Sequence, residues 1–489
     1  MNNYYICFMI AKRFFYLFLL SLALISCESP RSHYVRVFKS IDLEVNHNSQ
    51  AHNILNGICS HFGPRLAGCE KAIQAEEYSS LLFRSYGYDQ VFFQPFSFTQ
   101  WIRGSASLEI DSAGVFRPVP SLALAYTPSA RINGRIVDVG NGLIEDYSGL
   151  NVSGKIVLVY LGLLPGTPAG VKNMSRACKL SFAIAQGAAG CIAINQEPGD
   201  LPVTGSVSFD GQIIKIPALS ISYNRGMQLK EQLKTRSCMA RITTNHTSRP
   251  VTARNVVARL EGNRLPDETI VIGAHLDSWD ISPGALDNAS GVASVLDIAR
   301  LFKSLNLQPA RTIDFVLFMA EEQGHYGSES YIEEARHQNR LDGIRYMFNH
   351  DMTVSTYGFN LMCRYESDEL FQEMGLLMQK ADTSYANSLA HFTYLGSDHA
   401  VFIFEGIPTF TPLNRYEPTH TYHTTGDGPD HITSGMLESN VKLSAMMLYV
   451  LADAETLPAN RFTPEQVRQY LIENNLQEEL VISGAWIWD

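Results

Sequence analysis

The stretch GAHLDSWDISPGALDNASG, residues 273–291, follows the apolar run TIVIGAHL and leads into the helix-like segment SGVASVLDIARLFKSL. A near-continuous apolar run of that length reads as a strand buried on both faces. The polar loop behind it, with one histidine and three aspartates, lies where open α/β sheets present their ligands, outside the carboxyl ends of the strands. The pattern recurs downstream. TIDFVLFMAEE (312–322) ends on Glu321-Glu322, and IRYMFNHDM (344–352) passes into His350-Asp351. Strands of this kind, separated by helix-length segments, imply an α/β fold with a mixed, mostly parallel sheet covered by helices on both faces.

One acidic strand end is ordinarily a helix cap or a solvated loop. Three adjacent ends carrying His275, Glu321-Glu322 and His350-Asp351 make that reading weak. A further pair of histidines, His420 and His423, stands in THTYH, and spacing does not choose between them, nor between His350 and Asp351. Imidazole and carboxylate donors without thiolate suit zinc or a related divalent ion and are too rich in nitrogen for a calcium cage. Asp280 reads as a turn residue, Asp297 as the surface of the following helix, and His325, His391, His399 and His431 as structural histidines.

Moving outward, 489 residues with 45% hydrophobic content allow a large core and more than one domain. The net charge of −11, without a basic cluster, sets nucleic acid aside. Lys12 and Arg13 precede FFYLFLLSLALIS, which is too short and too near the terminus for a membrane span and reads as a secretion signal. It closes on Leu24-Ile25-Ser26-Cys27, which resembles a bacterial lipobox. The expected organisation is a signal peptide over 1–26, a polar tether over 27–49, and the first part of the main domain over 50–99. A β-rich insertion follows over 100–249, then the rest of the main domain over 250–455 and an accessory helix over 456–489. The insertion carries GKIVLVYLG, GCIAINQ and IKIPALSIS, with one helix near Ser175 to Gly187. Thr463, three residues before Gln466, is the expected cap of the last helix. Besides Cys7 and Cys27, six cysteines remain, and their spacing gives no connectivity.

Taken in order, His275-Leu276-Asp277, Asp287-Asn288-Ala289-Ser290-Gly291, Ala320-Glu321-Glu322, Asp351, Ser397-Asp398-His399 and His423-Thr424-Thr425-Gly426-Asp427 resemble the co-catalytic zinc exopeptidases of the M28 family. GPRLAG at 63–68 resembles that family's early helix-turn segment, and SGKIVLV with QGAAGCIAIN resembles the protease-associated (PA) domain that some members carry. The resemblance implies a zinc exopeptidase fold with two Zn²⁺. His275 and Asp351 would hold one ion, Glu322 and His423 the other, and Asp287 would bridge them. It also implies Glu321 as general base, Asp277 as the residue that orients His275, Tyr394 as an oxyanion stabiliser, and a cis Asp287–Asn288 bond.

The function this implies is hydrolysis of short peptides or dipeptides, with amino-, di- and carboxypeptidase action all open. Two alternatives share the fold: a glutaminyl-cyclase-like acyltransferase with one zinc, and a receptor-like binding protein that has lost its ligands. Arg364 and Arg415 are candidates to receive a substrate carboxylate. Association into a homodimer is left open. The expected location is across the inner membrane, lipid-anchored in the bacterial cell envelope, with the membrane reached only through Cys27. Expression of the full chain with labelled palmitate should yield a labelled, globomycin-sensitive protein, and Cys27→Ala should abolish the label. Normal processing of that variant by the ordinary signal peptidase would refute the anchor.

Overall fold

The computed structural model describes residues 30–112, 114–415 and 421–488. The expected signal peptide, Cys27 and His420 lie outside them.

TIVIGAH forms the second half of β9 (Leu265–His275), buried from Thr269 to His275. Its alternate side chains enter two cores, as a strand's period of two requires. Ile270, Ile272 and Ala274 join a cluster with the helices Ser290–Ser304 and Ser434–Asp453. Val271 joins another with Tyr331 and Ile332 of the helix Tyr326–His337 and Phe402 of the short helix His399–Phe404. β10 (Arg311–Phe318) and β11 (Ile344–Asn349) flank β9, both parallel to it. Beyond β11 lie β14 (Thr409–Asn414), parallel, then β12 (Thr356–Asn360), antiparallel, and β13 (Ser388–Ala390). The sheet is therefore mixed and mostly parallel, with helices on both faces, as the sequence implies.

Beyond β10 the sheet continues into β8 (Met239–Leu260), a strand of 22 residues, paired antiparallel with β1 (Gln90–Ser112), a strand of 23. This ribbon runs out of the main sheet and into the insertion. There β8 pairs with β4 (Ala130–Asp138), followed by β5 (Ile156–Tyr160), β6 (Gly190–Ile194), β7 (Ala218–Ile221) and β3 (Leu122–Ala123). β2 (Val115–Val119) folds back on β1 as a hairpin. The expected limits of the insertion, 100 and 249, fall inside the ribbon, beside the opposed pair Thr99↔Pro250. Pro250 is tolerated because β8 pairs with β10 only over Val256–Leu260 and with β4 only over Met239–Thr244. Between those stretches one edge needs no donor.

Three expectations change. The tether over 27–49 contains the helix Pro30–Asn48, whose Val37, Phe38, Ile41 and Val45 are buried in the main core. Their helical spacing is diluted by polar neighbours. Asp297 is fully buried, not at the surface, and accepts from Ser49 Oγ at 2.6 Å, the Gln50 N–H at 3.1 Å and Arg300 Nε at 2.6 Å. The single accessory helix is a pair, Pro464–Glu473 and Gln477–Ser483. The first opens on Thr463, whose Oγ1 accepts the Gln466 N–H at 3.3 Å, and the second touches the insertion beside Cys178. All six described cysteines are free thiols.

Candidate metal centre

Each strand that borders the centre leaves its polar residues where the backbone stops being regular. β9 ends at His275, which is 1% exposed and whose Nδ1 meets the Asp277 carbonyl oxygen at 3.1 Å. The Asp277 carboxylate, expected to orient that ring, lies farther from it, with Oδ1 at 3.8 Å, and accepts the Glu321 N–H at 3.2 Å. Asp277 thus steadies His275 through its main chain and Glu321 through its side chain. After β10, Ala320 takes a positive φ of 68°, a turn that sends consecutive side chains in different directions. Glu322 Oε2 lies 3.1 Å from His423 Nε2, whereas Glu321 Oε2 lies 4.0 Å from His275 Nε2. After β11, Asp351 Oδ1 comes within 3.4 Å of His275 Nε2. His350 points the other way, its Nε2 at 3.0 Å from Ser444 Oγ, and burial pushes its pKa down to about 3.

Asp287 sits between the two histidines. Its Oδ1 is 3.1 Å from His275 Nε2 and its Oδ2 3.0 Å from His423 Nε2, and the Asp287–Asn288 bond is cis. His275, Asp287 and Asp351 bring ligand atoms within 4.8 Å of one another, and Asp287, Glu322 and His423 do the same. Burial pushes Glu322 up to about 8, and the Asp287 charge adds to it. Burial also opposes the ionised Asp287, but the His275 and His423 imidazoles beside it outweigh that and hold the carboxyl below its ordinary value. His275 Nε2, Glu322 Oε1 and Asp351 Oδ1 are buried atoms without a hydrogen-bond partner. Buried donors and acceptors left in this way, within a set of carboxylates and imidazoles, fit divalent cations.

Other residues hold the ligands, and their roles were not read from sequence. Asp427, the last residue of HTTGD, accepts the Leu286 N–H at 2.8 Å and the Asp287 N–H at 3.0 Å, and burial pushes it up to about 6. Arg65, in GPRLAG, is fully buried and donates to the carbonyls of Leu276 at 2.6 Å, Pro283, and Gly284 at 3.3 Å, pinning both ends of the 276–284 loop. The motifs containing both residues were visible, but the carbonyls and amides they serve are not a sequence feature. From the insertion, Arg176 Nη1 approaches His423 Nδ1 at 3.0 Å, and the Thr204 N–H donates to the His423 carbonyl at 2.8 Å. Asp280, read as a turn residue, pairs with Arg103 of β1 at 2.8 Å. Trp279 meets His423 edge-on at 5.8 Å.

Tyr394 is half-buried. Burial, then the charges of Asp351 and Glu321, hold its phenol above the ordinary range, and His399 Nε2 meets its carbonyl oxygen at 2.9 Å. Of the arginine candidates, Arg364 is buried and pairs with Glu366 at 2.6 Å, and its guanidinium lies over Phe462. Arg415 lies over Tyr357.

Residues 255–448 match Peptidase family M28, and residues 125–229 match the PA domain. The chain is an M28-like metallopeptidase that carries a PA domain. It is 26% identical over 452 residues to carboxypeptidase Q of Xenopus laevis, covering 87% of this chain and 91% of that protein. It is also 26% identical to aminopeptidase YwaD of Bacillus subtilis, with 88% and 90% covered. Among solved structures, the aminopeptidase from Aneurinibacillus sp. strain AM-1 is 26% identical with a TM-score of 0.63, covering 86% of this chain and 97% of that one. The fold is shared with the M28 peptidase precursor from Shewanella amazonensis, at 24% identity and a TM-score of 0.76, covering 88% and 100%.

Asp427→Asn leaves one acceptor oxygen for two amides. Metal affinity, measured by competition with a chelating dye, should fall about 10- to 100-fold, as when ligand-orienting groups are lost elsewhere. Unchanged affinity would show that the 286–287 backbone needs no such anchor.

Proposed function

We propose that the chain is a dinuclear zinc exopeptidase acting on short peptides or dipeptides in the cell envelope. The observation that carries this reading is the position of Asp287, with one carboxylate oxygen 3.1 Å from His275 and the other 3.0 Å from His423. In the proposed arrangement His275 and Asp351 would hold one zinc and Glu322 and His423 the second, with Asp287 contributing to both groups. Such a pair of ions polarises the scissile carbonyl and brings the pKa of water toward neutrality.

The chain's own groups perform the remaining steps. Glu321 takes the proton of the attacking water on a carboxylate oxygen and passes it to the leaving amine. The Asp277 carboxylate holds the Glu321 backbone through its N–H, so the base keeps its place between the two events. The Tyr394 phenol, kept protonated by burial and by Asp351 and Glu321, donates to the oxygen that gains charge. The insertion closes against His423 through Arg176 and Thr204, which restricts the cleft to short substrates. The completeness of both ligand groups favours hydrolysis over the one-zinc acyltransferase reading.

Glu321→Gln should retain two zinc ions per chain by metal analysis while turnover falls by about 10²- to 10⁴-fold, the usual worth of a positioned base. Loss of metal in that variant would reassign the residue. A panel of free and N-blocked dipeptides settles the direction of attack. Cleavage that requires a free amino terminus identifies an aminopeptidase, and cleavage of blocked substrates identifies a carboxypeptidase. One zinc per chain with cyclisation of N-terminal glutamine would overturn the hydrolase reading.

A further inference from the structure

The loop that carries Glu321 and Glu322 from β10 into the helix Tyr326–His337 is held on three sides. The Asp277 carboxylate takes the Glu321 N–H. Gln323 Oε1 accepts the Trp101 N–H of β1 at 2.9 Å, and the Gln323 carbonyl accepts the Tyr126 hydroxyl of the insertion at 3.0 Å. The Tyr326 ring stacks on Phe98 of β1 with centroids 5.0 Å apart. Between these anchors the chain wraps the Glu321 carbonyl, which accepts the N–H groups of Gly324 at 2.9 Å and His325 at 3.2 Å. That turn leaves His325 at φ 58° and ψ 20°.

Histidine suits neither demand of this backbone position. A residue that opens a helix is ordinarily Ser, Thr, Asp, Asn or Gly, and the left-handed region favours glycine. The His325 imidazole makes no capping bond, and only its carbonyl serves the helix, accepting the Glu329 N–H and the Ser328 hydroxyl, each at 3.0 Å. The ring turns back instead, and its Nε2 lies 3.4 Å from Glu321 Oε1. The other oxygen of that carboxylate, Oε2, is the one that approaches His275 Nε2, at 4.0 Å. One oxygen of Glu321 therefore lies beside His325 while the other faces the metal centre. A position that breaks local rules in this way is where function is expected to reside.

Glu321 also needs holding. Asp398 is fully buried, and among the described residues neither of its carboxylate oxygens has a hydrogen-bond partner. Burial, then the Glu321 charge, pushes it up to about 7. Two acids at close quarters repel each other, and an imidazole on Glu321 opposes its displacement. Burial disfavours a charged His325 ring, but the Glu321 carboxylate beside it and the charges of Asp398 and Glu329 outweigh that and hold the imidazole above its ordinary value.

We infer that His325 is the positioning residue of the general base, its Nε2 holding Glu321 Oε1 so that Oε2 stays aimed at the attacking water. The inference rests on the reading of Glu321 as that base. The last torsion of a glutamate is broad and roughly two-fold, so a carboxylate without this partner turns about its own axis. The contribution is one of orientation, and it belongs to kcat and not to substrate affinity.

The test uses the zinc-loaded full chain, a dipeptide it cleaves, and His325→Gly. Glycine takes the left-handed conformation without steric cost, so a residue that served only the turn would be replaced without loss. Removal of the imidazole should instead lower kcat by about 10- to 100-fold, the upper figure being what a misplacement of about 1 Å can cost. KM, zinc content and Tm should stay unchanged, the pattern of an interaction realised in the transition state. His325→Gln, whose amide N–H can reach the same oxygen, should restore most of the loss. In a Glu321→Gln background, His325→Gly should lower the residual turnover no further. Crystals of the His325→Gly protein should show the Glu321 carboxylate in more than one orientation, and those of His325→Gln in one. Full kcat in His325→Gly, equal losses in the two His325 variants, or an undiminished effect beside Glu321→Gln overturns the inference. Loss of zinc from His325→Gly overturns it too, by making His325 a support of the ligands. Full turnover in Glu321→Gln itself removes the base reading instead, and the crystals still decide whether His325 orients that carboxylate.

Discussion

Three carboxylates and two imidazoles share one small space at the end of the sheet, and the surrounding structure answers to that crowding. Burying like charges together is unfavourable, and Glu322 shows it, pushed up to about 8 by burial and by the Asp287 charge. Side chains left to themselves would relax apart. What prevents this is main-chain anchoring one step behind each ligand. Asp427 grips the amides of residues 286 and 287, Arg65 ties both ends of the 276–284 loop, and the Asp277 carboxylate takes the Glu321 amide. Fixed backbone holds the repelling groups together as a fixed set of donor lone pairs, the property a metal site requires.

The β1 and β8 ribbon extends that rigidity to the PA domain. A domain joined by two loops would be free to swing, whereas two long strands paired from Gln90↔Arg259 to Ile110↔Ala240 resist bending. The ribbon is reinforced near the centre by Arg103 to Asp280, and, away from it, the insertion is held by the turn between the C-terminal helices, where Lys172 donates to the Asn475 carbonyl at 2.6 Å. Arg176 and Thr204 consequently meet His423 from a fixed direction.

The main sheet was legible because its strands are buried on both faces and read as unbroken apolar runs, and the polar strand ends because they interrupt those runs, whereas the choice of residues within those ends came from the family resemblance. Less visible was anything that depends on partners distant in sequence. Arg65 looks like a turn arginine until Leu276, Pro283 and Gly284 present their carbonyls to it. Asp297 looks like a surface acid until Ser49 and Arg300 are placed beside it. The helix Pro30–Asn48 was hidden for a different reason. Its four buried positions are outnumbered by polar residues, and packing against the helices Ser434–Asp453, Asp368–Met378 and Ser290–Ser304 gives them a core to enter. The choice of His423 rested on its HTTGD pattern, and its left-handed φ of 52° is a local feature that no spacing rule anticipates.

Beneath the ligand groups, a buried polar network backs the direct hydrogen bonds by which Asn288 joins the His350 carbonyl at 2.8 Å and the Met352 N–H at 3.2 Å. Asn440, fully buried in the middle of the helix Ser434–Asp453, donates to Ser294 Oγ at 2.7 Å and Thr353 Oγ1 at 3.1 Å and accepts from Thr356 Oγ1 at 2.8 Å. One turn further on, Ser444 meets His350 at 3.0 Å. Ser294 belongs to the helix that follows Asp287, whereas His350 and Thr353 flank Asp351. A leucine at position 440 would suit the helix better by propensity and by transfer energy, but it would take the Asn440 partner from the Thr353 and Thr356 hydroxyls, while Ser294 keeps its bond to the Ser290 carbonyl. Because such groups are satisfied in only one arrangement, the network and the Asn288 side chain together fix how the Asp287 segment sits against the Asp351 segment. The spacing of the two proposed zinc sites therefore depends on residues that touch no ligand atom.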